Sequence, residues 1–150
     1  MVYQHYESKR ALFLAIIDHV GDRMVDVLTA ATSGLTDGHA QVEAGTVAFF
    51  KWVERDKNSF KFLFDSGTQN DEEFTIAIRK VLDRSAEAIA PLIAIDLDPI
   101  HVRTLAHGVA GASEGVARFL INNNISFNGE QIGKQIANLL WAGLRGVDSE

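Results

Sequence analysis

Cysteine is missing from the sequence altogether, which excludes a disulfide framework, thiol catalysis and thiolate metal sites in one step. Proline is nearly missing: Pro91 and Pro99 are the two in 150 residues, so few positions are barred from a helix. No apolar run reaches the roughly 18 residues of a membrane span. The richest stretch, 86–97, is broken by Glu87, Pro91 and Asp96. The start lacks the basic cluster and apolar core of a secretory signal and carries His5, Glu7, Lys9 and Arg10 instead. These absences predict a cytoplasmic protein without a membrane partner. An excess of positive charge is missing as well, since 14 Lys and Arg face 20 Asp and Glu for a net charge of −6. Strong binding to nucleic acid needs clustered cations against the phosphates, which this chain as a whole does not offer. Catalytic patterns are equally scarce: no Ser-His-Asp order, glycine-rich phosphate loop or carboxylate pair stands at a recognisable spacing. His5, His19, His39, His101 and His107 include no pair four apart that would set two imidazoles together on a helix. The expectation is a protein that is no enzyme and that holds no metal or cofactor.

What is present is helical periodicity. With 47% hydrophobic and 23% charged residues, the chain matches ordinary globular usage and is long enough for one sizeable core. From Lys9, apolar residues Leu12, Phe13, Ile16, Ile17, Val20, Met24, Val27 and Leu28 recur at three- and four-residue spacing, predicting a long helix with Ser8 as N-cap, ending near Thr32-Ser33-Gly34. A second helix follows with Val42, Val47, Phe49, Phe50, Trp52 and Val53, and fades in the polar stretch 54–59. Phe60, Phe62, Leu63 and Phe64 read as a short helix closed by Ser66-Gly67. Asn70 with Glu73 reads as a capping box for a helix carrying Phe74, Ile78, Val81 and Leu82, loosened at Pro91. Asp98-Pro99 opens a helix to about Asn122, and Asn128 with Gln131 caps the last one. No strand-like alternation is long enough to build a sheet, so the fold class is all-α, with about six helices.

The helix opened by Pro99 is crowded with Gly108, Ala110, Gly111, Ala112, Gly115 and Ala117, although each interior glycine costs about 1 kcal/mol relative to alanine. Close approach of another backbone would offset that cost. The neighbour is either a helix of the same chain or a symmetry copy, and the last helix favours the copy. It has Ile132, Ile136, Leu140 and Leu144 on one side and Trp141 with Arg145 elsewhere, both residue types enriched at interfaces. The expectation is a homodimer whose last two helices form a four-helix bundle with the second subunit, with Gly111, Gly115, Arg118, Ile136, Leu140, Trp141 and Leu144 as interface candidates. His107, Gly111, Glu114 and Arg118 fall along one side of the small-residue helix. Glu114 and Arg118, four apart, can pair, and Glu114 or His107 can anchor a ligand at a cavity rim.

The opening stretch Val2-Tyr3-Gln4-His5-Tyr6-Glu7-Ser8-Lys9-Arg10-Ala11-Leu12-Phe13 resembles the signature of the tetracycline-repressor (TetR) family. In that family a Tyr-x-His-aromatic segment ends the DNA-recognition helix and Ser-Lys-x-x-Leu-Phe begins the helix that joins the DNA and ligand domains. The resemblance implies that residues 1–8 are a remnant of the recognition helix and 9–150 an effector-binding and dimerisation domain. It implies that Tyr3 and His5 approach DNA, that Lys9 meets a phosphate, and that Tyr6 packs inward. It further implies a ligand-responsive repressor, with DNA a partner only of a full-length parent, because a helix-turn-helix needs its first helix to brace the second. A shortened or cleaved protein, a gene start placed too far downstream and a natural domain without a head are all compatible with this pattern.

By the same resemblance, the middle helices surround an effector pocket. Aromatic side chains concentrate there, and a cavity among them would take a small apolar or aromatic molecule. The wall candidates are Phe49, Trp52, Val53, Phe74, Ile78, Leu82 and Val109, with His107 and Glu114 as polar anchors. Two other classes compete with this reading: a stand-alone small helical enzyme or binding protein, which would need a polar cluster inside the pocket, and a purely structural dimerisation module, in which all these aromatics are core.

Overall fold

The computed structural model describes residues 2–64, 71–93 and 96–147, with residues 2–6 described by their backbone. Six α-helices and no strand occur among them: α1 (Val2–Thr32), α2 (Gly38–Arg55), α3 (Lys57–Phe64), α4 (Glu72–Ile89), α5 (Pro99–Asn122) and α6 (Gly129–Arg145). The all-α expectation holds, and each helix is bounded by local chemistry. Helix α1 stops where Gly34 takes φ of 79°, a left-handed conformation that glycine adopts without steric cost. Asp37 caps α2 by accepting from the Ala40 amide at 2.9 Å, and Asn128 caps α6 by accepting from the Gln131 amide at 2.9 Å. Pro91 sits in a single 3₁₀ turn, Ala90–Leu92, that closes α4.

Two boundaries differ from the sequence expectation. Ser8 is not an N-cap, because α1 runs unbroken from Val2 and carries Ser8 in its interior. The Tyr-rich opening is itself good helix, so no boundary forms between it and the amphipathic part. The N-cap of α4 is Asp71, whose carboxylate accepts from the Phe74 amide at 3.3 Å; Asn70, like the Ser66-Gly67 break, lies outside the described residues. At Asp98 the expected helix start is in place, with Pro99 in the first turn, but the Asp98 side chain makes no capping hydrogen bond.

The core lies where α1, α2, α3 and α4 converge. Ile17, Phe50, Val53, Phe60, Leu63 and Val81 are its fully buried large side chains. Phe49 meets Phe50 edge-on at 5.2 Å between ring centroids, and Phe60 lies 4.8 Å from Phe64. Tilted and edge-on pairs of this kind add to simple area burial.

Glycines set the closest helix contacts, at positions other than those picked out by composition. A Cβ on Gly133 would stand 2.5 Å from the Val47 Cα, and one on Gly129 would stand 2.7 Å from the Phe50 carbonyl oxygen. Helices α2 and α6 therefore touch backbone to backbone. The Gly129 amide also donates to the Glu54 carboxylate at 2.7 Å, tying the start of α6 to the end of α2. By contrast, a Cβ on Gly108, Gly111 or Gly115 would find nothing within 4 Å.

Candidate functional site

A cavity of about 880 Å³ opens among α1, α2, α4, α5 and α6. Each helix gives it one stripe. Met24, Leu28 and Thr32 come from α1; Val42, Thr46 and Phe49 from α2; Leu82, Ser85 and Ile89 from α4; Val109, Ser113 and Glu114 from α5; and Trp141, Leu144 and Arg145 from α6. Successive members of each stripe are three or four apart, the spacing that keeps side chains on one helix face. The wall is mostly apolar, with a few hydroxyls and two charged groups. Phe64, at the end of α3, closes the lower side.

The polar members have defined partners. The Ser85 hydroxyl donates to the Val81 carbonyl at 3.1 Å within α4. Glu114, four residues before Arg118, accepts from its guanidinium, which also lies 5.8 Å from the Phe64 ring centroid. At the other end of the cavity His39 stacks on Trp141, with ring centroids 5.1 Å apart and planes within 10° of parallel. Beneath this pair Gly38 allows close approach: a Cβ there would stand 3.3 Å from the indole.

Among the nine residues named from the sequence as pocket candidates, Phe49, Leu82, Val109 and Glu114 line this cavity. Trp52 and Val53 point into the core instead. Phe74 packs against Phe13, 6.2 Å away and edge-on, and Ile78 against the core. His107 lies at the surface, with Nε2 3.9 Å from the Asp83 carboxylate. The interface candidates also separate. Gly111 and Gly115 face open space, Ile136 packs on the core, and Trp141 and Leu144 line the cavity. Lys9 is exposed, while the side chains of Tyr3, His5 and Tyr6 fall outside the described residues.

A second constellation was not anticipated from the sequence. Arg10 on α1 donates through Nε to Glu73 at 2.8 Å and through Nη2 to Asp71 at 2.8 Å, with a further bond from Nη1 to Asp71. The Arg10 hydrogen bonds hold the Asp71 carboxyl below the usual carboxylate range, and the two acids raise the guanidinium above its own. Residues 61 positions apart give no local signal of this contact. Among the described residues, no three His, Asp or Glu gather as a metal cage would require.

The described helices, the cavity and the long first helix can be set beside known proteins. A solved TetR-like transcriptional regulator from Rhodococcus sp. RHA1 superimposes with a TM-score of 0.73 at 26% identity, over 98% of this chain and 78% of that one. The fold is TetR-like. A curated protein agrees: the HTH-type transcriptional activator FasR of Mycolicibacterium smegmatis is 25% identical over 149 residues, covering 98% of this chain and 68% of that protein. No family model matches the sequence. The TetR-like assignment thus rests on whole-chain similarity to two transcriptional regulators and on the arrangement of helices.

Proposed function

We propose that this chain is the effector-binding and dimerisation region of a TetR-like transcriptional regulator. The observation that carries the reading is the 880 Å³ cavity enclosed by helices of a TetR-like fold, with one wall made by α1. A small apolar or aromatic effector suits its lining, since such sites are apolar with a few placed polar groups. Occupancy favours one disposition of the walls, and α1 carries that choice toward the DNA. Residues 1–8 are the DNA-facing end of this design. Tyr3, His5 and Lys9 approach the operator there in a longer protein whose preceding helices complete the reader. Whether regulation is positive or negative follows from operator position relative to the promoter; the mycobacterial relative is named an activator.

The dimer is part of the same proposal. Helix α5 leaves Ile100 and Phe119 exposed at 65% and 57%, on the side where Gly111 and Gly115 meet nothing, and α6 exposes Leu139 at 63%. A symmetry copy laid on this face would bury those side chains and use the glycines for close approach. Two measurements test the reading. The mass and N-terminal sequence of the protein from its native promoter should reveal a basic helix-turn-helix ahead of Tyr3. Thermal denaturation with a panel of apolar and aromatic small molecules should find stabilising compounds, and those compounds should lose their effect in a Val109→Trp variant. If no compound raises the melting temperature, the cavity is not an effector site.

A further inference from the structure

Helix α4 is a cavity wall and also the helix that holds α1, and it holds α1 at two separate places. At its start, Asp71 uses one carboxylate for two purposes. It caps α4 by accepting from the Phe74 amide at 3.3 Å, and it receives both terminal nitrogens of Arg10. Glu73 takes the remaining Nε at 2.8 Å, and the guanidinium lies 5.2 Å from the centroid of the Phe74 ring. Farther along, α1 and α4 come closest at Gly21, where a Cβ would stand 2.5 Å from Val81 Cγ2 and 2.7 Å from an Arg84 nitrogen. Arg84 is hydrogen-bonded to Asp22 and lies 3.5 Å from Asp18, so its two acids fall on either side of Gly21.

The order of these pairs fixes the geometry. Arg10 meets Asp71, and Asp18 and Asp22 meet Arg84, so α1 and α4 run parallel. At 1.5 Å per residue the two attachments stand roughly 15–20 Å apart along the helices. Helices joined at one point can swivel or slide past each other. Joined at two, they move together unless an ion pair breaks. The next stripe of α4, formed by Leu82, Ser85, Ala88 and Ile89, faces the cavity.

We infer that the Arg10–Asp71–Glu73 cluster and the Arg84–Asp18–Asp22 cluster are a two-point coupling that turns displacement of α4 by a cavity occupant into displacement of the leading end of α1. The inference rests on the cavity being an effector site, and it assigns the transmission to particular residues. Bidentate, networked and half-buried ion pairs are the kind that hold a geometry, unlike isolated surface pairs.

The test fills the cavity without any effector, so its outcome is independent of whether a ligand is ever found. Amide hydrogen exchange is measured on the chain and on a Val109→Trp variant, in which the indole stands in for an occupant; Ser113→Leu serves if that variant does not fold. Filling should change exchange severalfold both in the cavity-facing turns of α4, residues 82–89, and at the start of α1, residues 10–17. In an Asp71→Asn background, the α4 response should persist and the α1 response should be lost. Asparagine still caps the helix, so a purely structural role of Asp71 would leave both responses in place. Arg10→Gln must reproduce the loss from the other side. An unchanged α1 response in both variants, or no response in α1 on filling the cavity, overturns the coupling.

Discussion

Asp71 shows how one carboxylate acquires a role from partners distant in sequence. Its hydrogen bonds to Arg10 lower its pKa, so the folded state binds that proton less readily than the unfolded chain. The stabilisation is therefore complete above the ordinary aspartate pKa and fades as pH falls through the lower folded value. Arg10, shifted upward, stays charged throughout and adds no titration of its own below neutrality. Acid unfolding followed by circular dichroism should show a steeper loss of stability below about pH 4 for the parent chain than for Asp71→Asn. Equal slopes would mean the pair contributes nothing. Glycines give the second expectation at single positions. Gly133→Ala must push a methyl into the Val47 backbone, and such overpacking should lower urea stability by about 1–3 kcal/mol. Gly111→Leu meets open space within the chain, so it should leave the single subunit intact or slightly stabilised through better helix propensity.

Helices were legible in the sequence because each carries its own start and stop. Asp37, Asn128 and Pro99 act on amides within a few residues, and the three-to-four spacing of apolar residues needs no knowledge of a partner. The start of α1 escaped because Ser8 has the chemistry of a cap and sits before an amphipathic run; the preceding residues continue the helix and leave it no free amide to cap. Glycine packing escaped for a related reason. Crowding drew attention to α5, whereas the backbone contact falls at Gly129 and Gly133, which look unremarkable in sequence and are defined by what α2 presents to them. The cavity was partly legible. Phe49, Leu82, Val109 and Glu114 were named in advance, but Trp52 and Val53, of the same chemical kind on the same helix as Phe49, face the core. Apolar composition cannot separate a side chain beside a void from one beside a neighbour. Cavity lining also drew in Trp141 and Leu144, whose helix had been read from its other side.

For the whole molecule, the proposed dimer and the cavity share helices, which lets association be tested apart from folding. Sedimentation at micromolar concentration should give a dimer for the parent chain and a monomer for Gly111→Leu or Gly115→Leu, with the circular dichroism spectrum unchanged; a parent that sediments as a monomer removes the dimer. The absence of proline from the first 90 residues has a mechanical consequence, since nothing interrupts α1 over its 31 residues. From the tight crossing at Gly21 to Val2 the helix extends about 28 Å at 1.5 Å per residue. It is a stiff lever arm with its fulcrum beside the cavity, and a rotation of about 5° there sweeps the far tip through about 2.5 Å. A shift of that size is comparable with the separation between a formed and a broken phosphate contact, so a small adjustment at the fulcrum is amplified at the tip into a change that DNA can register.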